Sequence, residues 1–537
     1  RPSHSTSRYD TRGARAFEVA ETRWYAELRD MQPSASADSV TKEGLVITDT
    51  VASAVAFETV VGLEIHAQLI TNSKMFCGCS AAAFASEPNA NVCPVCMGMP
   101  GVLPVINRAA VRQAVRVALA LHGEIQRESK FDRKNYTYPD LPKGYQISQY
   151  DLPLSRGGFV NVLADAGERH VGITRVHMEE DTGRSLHRTH ADGSGYSLVD
   201  LNRAGVPLLE IVSEPDMRSP EEARAYLVTL RDILRYIGAS TGNMEEGALR
   251  CDANVSLRPR GSSELGAKVE IKNVNSFRGV YHALQYEVQR QASVLRSGGT
   301  LIQETRGWSE ERGVTVPQRT KEFADDYRYF PEPDLPTLVL SDAFIAEARA
   351  SLPELPDVRR HRYMTDFGLS VSDAAALSES RELGDYFEAI VGDRSDPKRI
   401  ALAAALIKND WLTLTNERGI RLADAPSPAH VQGLMDVIER GVVSRSIAKE
   451  VFVAMAETQQ SAEAIVKERG LAQQSDTGTI LALIERAIAD NPKMVADYRK
   501  NPNALNALVG QVMKASRGTA NNQVVRESLI RRLATSE

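Results

Sequence analysis

The alternation in Phe57–His66 limits what this chain can fold into more than any other feature. Phe57, Thr59, Val61, Leu63 and Ile65 fall on one side, and Glu58, Val60, Gly62, Glu64 and His66 on the other. A period of two held over this length specifies a half-buried strand. Four later segments repeat the scheme. Arg175, His177 and Glu179 share a side of Val171–Glu180. Leu208, Glu210 and Val212 alternate with Leu209 and Ile211. Arg250, Asp252, Asn254 and Ser256 oppose Leu249, Cys251, Ala253, Val255 and Leu257. Lys268, Glu270 and Lys272 oppose Val269 and Ile271. Such alternation predicts an antiparallel sheet with one dry and one wet face.

Helices punctuate these strands. Ser219-Pro220-Glu221-Glu222 is a capping box with Pro at the first helical position, and Gly238 is the expected stop. Asn107 caps a second helix, which Gly123 is expected to end. The mixture predicts an α+β domain over 57–350. Strand signals vanish beyond it, while Ser372–Leu377, Ala401–Leu414, His430–Arg440, Ala462–Val466 and Thr479–Ala489 carry a helical period. The C-terminal part is therefore expected to be all-α, in two parts. Residues 1–56 lack sustained apolar periodicity. They read as a poorly ordered extension, or as upstream sequence included by a wrong start, since the chain begins Arg-Pro.

Composition narrows the class. The chain has 537 residues, 42% hydrophobic and 25% charged, which excludes a mainly disordered protein. No apolar run approaches the roughly 20 residues that span a bilayer. The net charge of -6 argues against coating nucleic acid by charge alone but leaves room for a local basic surface. Five cysteines are too few for a disulfide framework, so the expected compartment is the reducing cytoplasm.

Four of those cysteines form the clearest motif. Cys77-Gly78-Cys79 is followed after 13 residues by Cys93-Pro94-Val95-Cys96. Two close thiolate pairs joined by a loop suit a tetrahedral, four-sulfur Zn²⁺ site with no open position for catalysis. The plainer alternative is unrelated thiols or a redox pair.

The second constellation is acidic. Glu64 and His66 share a strand face, and His177 and Glu179 repeat the arrangement, with Glu180 and Asp181 following. Glu210, Glu245, Glu246 and Asp252 add carboxylates near strand ends. A face of His and carboxylates suits Mg²⁺, a hard cation that prefers oxygen ligands and phosphates. Lys272 and Arg250 are candidates to meet ATP phosphates there. The alternative is a solvated face of ordinary charges.

Asp132–Asp140 and Pro142–Gln146 mix basic and aromatic residues, with Lys134 and Lys143 the lysines placed to bind nucleotide or an RNA end; a structured surface loop is the competing reading. The Asp326–Asp334 loop reads as a packed closure of the sheet domain. From Arg499 onward seven Lys/Arg face two Asp/Glu, a modest hint of RNA contact. There is no Gly-x-Ser-x-Gly elbow, no Walker A loop and no Cys-His amidase nucleophile outside the cysteine cluster. The motifs alone give a metal-dependent, phosphate-handling enzyme.

At this point longer runs become informative. FETVVGLEIH at Phe57, SKFDRKNYTY at Ser129, YQISQ at Tyr145, HMEEDTG at His177, LVDLNR at Leu198, LEIVSEP at Leu209, MEEGALRCDANVS at Met244, DDYRYFPEPD at Asp325 and VGQVMKASR at Val509 resemble the B subunit of the aspartyl/glutamyl-tRNA amidotransferase family. The resemblance spans Phe57 to the C-terminus. It implies a catalytic domain similar to glutamine synthetase, a helical domain at 351–430 and a YqeY-like, tRNA-binding tail at 431–537. It also implies a three-subunit enzyme in which the A subunit frees ammonia from glutamine and the small C subunit holds the complex together. The B subunit would use ATP and Mg²⁺ to phosphorylate the side-chain carboxylate of Glu-tRNA(Gln) or Asp-tRNA(Asn). On that resemblance Glu64, His66, Glu179 and Glu180 are the first choices for the metal shell and catalysis. Glu210, Glu246 and Asp252 are weaker choices, for metal or ammonia passage. The cysteine cluster varies in the family, so zinc would be structural support. A tRNA-binding scaffold without kinase activity is the alternative of a different class.

Overall fold

The structure, a computed structural model, describes residues 56–84, 86–164, 167–320, 327–392, 396–472, 477–516 and 519–534. The expected extension at 1–56 lies, but for residue 56, outside the described residues, as do Asp325, Asp326, Arg517 and Gly518. The chain divides into two compact units between Val358 and Arg359.

The first unit is built on a ten-stranded sheet. Its central strands are β1 (Phe57–Gln68), β2 (Gly167–Glu180), β3 (Pro207–Ser213), β4 (Leu249–Pro259) and β5 (Val269–Val274), followed by β6 (Glu304–Ser309) and β7 (Val314–Thr320). They are ordered β7-β6-β5-β4-β1-β3-β2, and short strands extend the edge beyond β2. All five alternating segments are strands of this one sheet. The apolar side of β1 (Val61, Leu63, Ile65) is sealed beneath α2 (Pro220–Tyr236) and α3 (Phe277–Arg296), α1 being Arg108–Ala120. One pairing departs from the antiparallel expectation: β5 and β6 are parallel. The reason is α3, a 20-residue helix that carries the chain back to the starting edge. A parallel pair needs such a crossover.

Two helix ends differ in detail from the sequence reading. Ser219 Oγ accepts the Glu222 N–H at 3.1 Å, but the Glu222 carboxylate accepts from Arg218 N–H at 2.7 Å rather than from the cap residue. At the end of α1 the left-handed residue is His122 (φ 58°), not Gly123. Gly123 N–H closes the motif on the Ala118 carbonyl at 2.8 Å, and a Cβ on Gly123 would stand 2.3 Å from Ser155 Oγ. The His122 ring stacks on Phe159 at 4.2 Å, which offsets the strained backbone.

Among the described residues no strand follows Leu338–Val339. The second unit has two apolar cores. Tyr363, Phe387, Trp411, Leu434 and Phe452 belong to one, and Ile480, Leu508, Val512, Val525 and Leu529 to the other. The expected boundary at 430/431 falls inside the helix Pro428–Glu439, whose Val431, Leu434 and Met435 are buried in the first core. Cutting there would expose those side chains, so the cores divide between Leu471 and Ile480 instead. The Ala401–Leu414 period conceals a π-helical turn at Leu406–Trp411. In the last helix, Asn522–Ala534, Arg532 reaches Glu485 at 2.5 Å and Arg531 lies 3.9 Å from Glu527. These pairs are exposed and worth little, so the arginines can exchange partners.

Candidate active site and cysteine centre

Strand register assembles the polar face. Across four adjacent strands, Arg250, His66, Glu210 and His177 are successive Cα partners. The next row along β1 aligns Asp252, Glu64, Val212 and Arg175. Antiparallel partners point to the same side, so residues as distant in sequence as Glu64 and Asp252 share one surface.

The rows converge on a carboxylate–imidazole cluster. His66 Nε2 lies 3.4 Å from Glu210 Oε2, 3.4 Å from Glu179 Oε1 and 3.9 Å from Glu64 Oε1. His177 Nε2 approaches the same Glu210 Oε2 at 3.4 Å. Arg175 reaches Glu210 Oε1 at 3.3 Å. Two triads share Glu210: Glu64, His66 and Glu210, and His177, Glu179 and Glu210. In each, the potential ligand atoms lie within 4.8 Å of one another. Glu179 is buried, and its Oε2 has no hydrogen-bond partner. A buried carboxylate oxygen left unpaired is costly unless something fills the gap. The donor set therefore fits a small divalent cation.

The groups perturb one another strongly. Burial lowers the His66 pKa, but the bond to Glu210 and the charges of Glu210, Glu179 and Glu64 outweigh it and raise it to about 9. Burial drives His177 the other way, to about 4, helped by the positive charges of Arg175 and Lys134. Burial also raises Glu179 and Glu64, with the Glu210 charge adding to both. Burial opposes ionisation of Glu210, yet His177 and His66 hold it well below the ordinary carboxylate range. The two imidazoles that share Glu210 are thus shifted in opposite directions.

Positive groups border the cluster. Lys272 Nζ lies 2.5 Å from Asp252 Oδ2 and 3.4 Å from Glu270 Oε1. Arg250 pairs with the buried Asp181 at 2.7 Å. Lys134, on the short strand Asp132–Asn135, lies 5.1 Å from the Tyr327 ring. Burial lowers its pKa, but Glu179 and Glu210 raise it well above the usual lysine value. Tyr327 stacks edge-on to Tyr136 and Tyr329, with centroids 6.0 and 6.1 Å away. The lysine and tyrosines of two distant loops therefore meet beside the carboxylates.

Three of the sequence candidates stand elsewhere. Glu180 points to the opposite side of β2 from Glu179, where it pairs with Lys143 and accepts the Ile147 N–H at 3.0 Å. Lys143 is buried in that pair. Glu246 is exposed in the turn after Asn243. Two residues noted in the sequence but not chosen as ligands border the site: Arg175, on the shared face by alternation, and Asp181, anchored by Arg250, Arg203 and Gln68. Of the described residues of the loop expected to pack closed, Glu332 is buried, while Phe330 is exposed. Phe330 and Pro331 pair with Arg133 and Asp132, and Arg133 grips the buried Glu332 at 2.7 and 2.8 Å.

All four motif cysteines come together, their sulfurs within 4.8 Å of one another. Cys93 and Cys96 Sγ are 3.9 Å apart, close to the ~3.8 Å edge of a tetrahedron with 2.3 Å metal–sulfur bonds. Cys93 N–H donates to Cys96 Sγ at 3.2 Å, and Gly98 supplies the left-handed turn behind it (φ 65°). The hydrogen bond from Cys77, aided by the Lys74 charge, holds Cys96 down at about 4. These residues fit a structural zinc.

Comparison with known proteins finds relatives that match most of the chain. A family model described as the GatB/GatE catalytic domain matches residues 59–346, and one described as the GatB domain matches 385–533. The aspartyl/glutamyl-tRNA(Asn/Gln) amidotransferase B subunit of Thermomicrobium roseum is 54% identical over 476 residues, 88% of this chain and 98% of the relative. Its counterpart in Moorella thermoacetica is 53% identical over 479 residues, 89% of this chain and 100% of the relative. That of Carboxydothermus hydrogenoformans is 50% identical over 480 residues, 89% and 99%.

Proposed function

The chain belongs to the family of aspartyl/glutamyl-tRNA(Asn/Gln) amidotransferase B subunits, and from that premise we propose that its sheet face performs the ATP-dependent step of transamidation. The substrate is Glu-tRNA(Gln), Asp-tRNA(Asn) or both. Its side-chain carboxylate is a poor acceptor for ammonia, because oxide would have to leave. Attack of a carboxylate oxygen on the γ-phosphorus of ATP forms the acyl phosphate and releases ADP. Ammonia from the glutaminase, the A subunit, then displaces phosphate and gives the amide on the tRNA. The C subunit completes the heterotrimer.

The chain's own residues divide the work. Glu64, His66, Glu179 and Glu210, with His177 and Asp252 at the edges, would hold Mg²⁺. When bound, the ion neutralises phosphate charge and orients the transferring group. Lys272, Arg250 and Lys134 present positive charge around the carboxylates, where ATP phosphates would lie. Tyr136, Tyr327 and Tyr329 offer ring faces beside Lys134 for a base. Glu180 and Lys143 neutralise each other behind the strand and support it. Cys77, Cys79, Cys93 and Cys96 would hold a structural Zn²⁺. The basic surplus after Arg499 is the proposed tRNA contact. No described helix is long and apolar enough to cross a membrane. The proposed compartment is the cytoplasm, where the tRNA substrate is found.

The observation that carries this reading is the row Arg250, His66, Glu210 and His177, flanked by Glu64 and Glu179. The test is to mix the chain with purified A and C subunits, Glu-tRNA(Gln), ATP and glutamine. Gln-tRNA formation supports it. Binding of tRNA without ATP cleavage would favour the scaffold.

A further inference from the structure

Lys74 is a buried cation without a carboxylate partner. It is fully buried, yet among the described residues no Asp or Glu lies within ion-pair distance of its Nζ. Glu180 approaches the same Gly205 turn but is already paired with Lys143. The Lys74 ammonium donates to the Asn91 carbonyl at 2.7 Å and the Leu201 carbonyl at 3.3 Å, and its third neighbour is Cys96 Sγ at 3.7 Å. Two neutral carbonyls satisfy donors but do not balance charge, and an uncompensated buried ammonium is expensive. The anion in contact with it is the sulfur cluster. Four thiolates around one divalent ion carry a net charge of -2, so the centre has the opposite deficit.

The same side chain also spans two segments. Asn91 lies in the cysteine loop. Leu201 opens the turn to Gly205, which is laced to that loop by Asn91 N–H to Asn202 Oδ1 at 2.8 Å and Met75 N–H to the Gly205 carbonyl at 2.7 Å. The turn in turn holds the end of β2. Arg203 donates to the Thr182 and Gly183 carbonyls at 3.0 and 2.6 Å, and Gly205 N–H donates to the Asp181 carbonyl at 2.8 Å. Asp181 is two residues beyond Glu179.

We propose that Lys74 is the charge partner of the four-thiolate zinc centre and the positioning residue that couples its loading to the 201–205 turn. The proposal rests on the zinc reading given above. Loaded, the centre and the ammonium attract each other, the ammonium offsetting half of the centre's charge, and they hold the turn closed. Stripped of metal, the cysteine loop loses the ion that fixes Cys96 and Asn91 around the Lys74 ammonium, and the side chain is released from the 201–205 turn.

The experiment measures zinc affinity of the full chain by competition with a chromophoric chelator, for wild type, K74M and K74R. K74M is expected to bind on the order of 10- to 100-fold more weakly, the usual cost of losing a supporting partner of metal ligands. K74R, which restores the charge, is expected to recover affinity relative to K74M. Wild-type affinity in K74M would overturn the role of Lys74. Failure of the wild-type chain to bind zinc would instead overturn the zinc reading. Amine acetylation of the wild-type chain, mapped by mass spectrometry, decides the matter even where a variant does not fold. Lys74 is expected to be protected with zinc and modified after chelation. Equal labelling in both states contradicts the coupling.

Discussion

His66 and Glu210 are Cα partners across β1 and β3, and the imidazole Nε2 lies 3.4 Å from Glu210 Oε2. That carboxylate also faces His177, so it serves both triads. Glu210→Gln keeps the volume and removes the shared charge. Divalent-ion affinity is expected to fall by on the order of 10- to 100-fold. Isothermal titration of the chain with Mg²⁺ or Mn²⁺ checks this, and unchanged affinity would count against a shared ligand.

Lys272 bridges Asp252 and Glu270 at one margin of the cluster. Lys272→Met leaves two carboxylates facing the phosphate region without a counter-charge. The KM for ATP in the assembled enzyme is expected to rise about 10-fold or more, with tRNA affinity unchanged. A rise in KM for tRNA alone would move Lys272 out of the nucleotide region.

Burial pushes Asp181 up, but Arg250 and Arg203 outweigh it and hold the carboxyl below its ordinary 3.8. A folded-state value below the unfolded one adds stability that is fully present above the unfolded value and is lost as pH falls through the folded one. Asp181→Asn is expected to lower stability at neutral pH and to flatten the acid limb of the profile. Thermal melts between pH 3 and pH 7 test it. A parallel downward shift at every pH would contradict the assignment.

Glu287 is fully buried on α3, where Arg290 at 2.6 Å, Arg306 at 3.6 Å and Thr315 at 2.8 Å surround it. It fastens the helix to β6 and β7. Glu287→Ala removes the fully buried carboxylate that Arg290, Arg306 and Thr315 share, leaves Glu304 as the remaining acid beside both arginines, and is expected to cost about 3 kcal/mol. Urea denaturation measures this, and a loss under about 1 kcal/mol would mean that the arginines find other partners.

Much of this was legible because the wet face of the sheet alternates. Glu64, His66, His177, Glu179, Glu210, Arg250, Asp252 and Lys272 could be picked out from spacing and residue type. Their mutual order could not, because register depends on pairings between segments far apart in sequence. Glu180 shows the opposite case. Its neighbour Glu179 faces the cluster, and the period of two already assigned the pair to opposite sides. The motif HMEEDTG drew both into one set. The 430/431 boundary failed because nothing local marks whether a helix belongs to the core before it or the core after it. Lys74 gave no signal at all, since a lysine beside a cysteine loop looks like any surface lysine until its burial is seen.

The central claim is that the carboxylate–imidazole face activates the substrate carboxylate. Glu179, buried with an unpartnered oxygen beside His66, is its sharpest probe. The measurement is Gln-tRNA formation from Glu-tRNA(Gln) and ATP by the three-subunit enzyme, with ammonium chloride in place of glutamine so that the glutaminase is bypassed. Glu179→Gln is expected to reduce the rate by on the order of 100-fold or more while tRNA binding stays within a few fold. Turnover close to wild type in that variant would contradict the account.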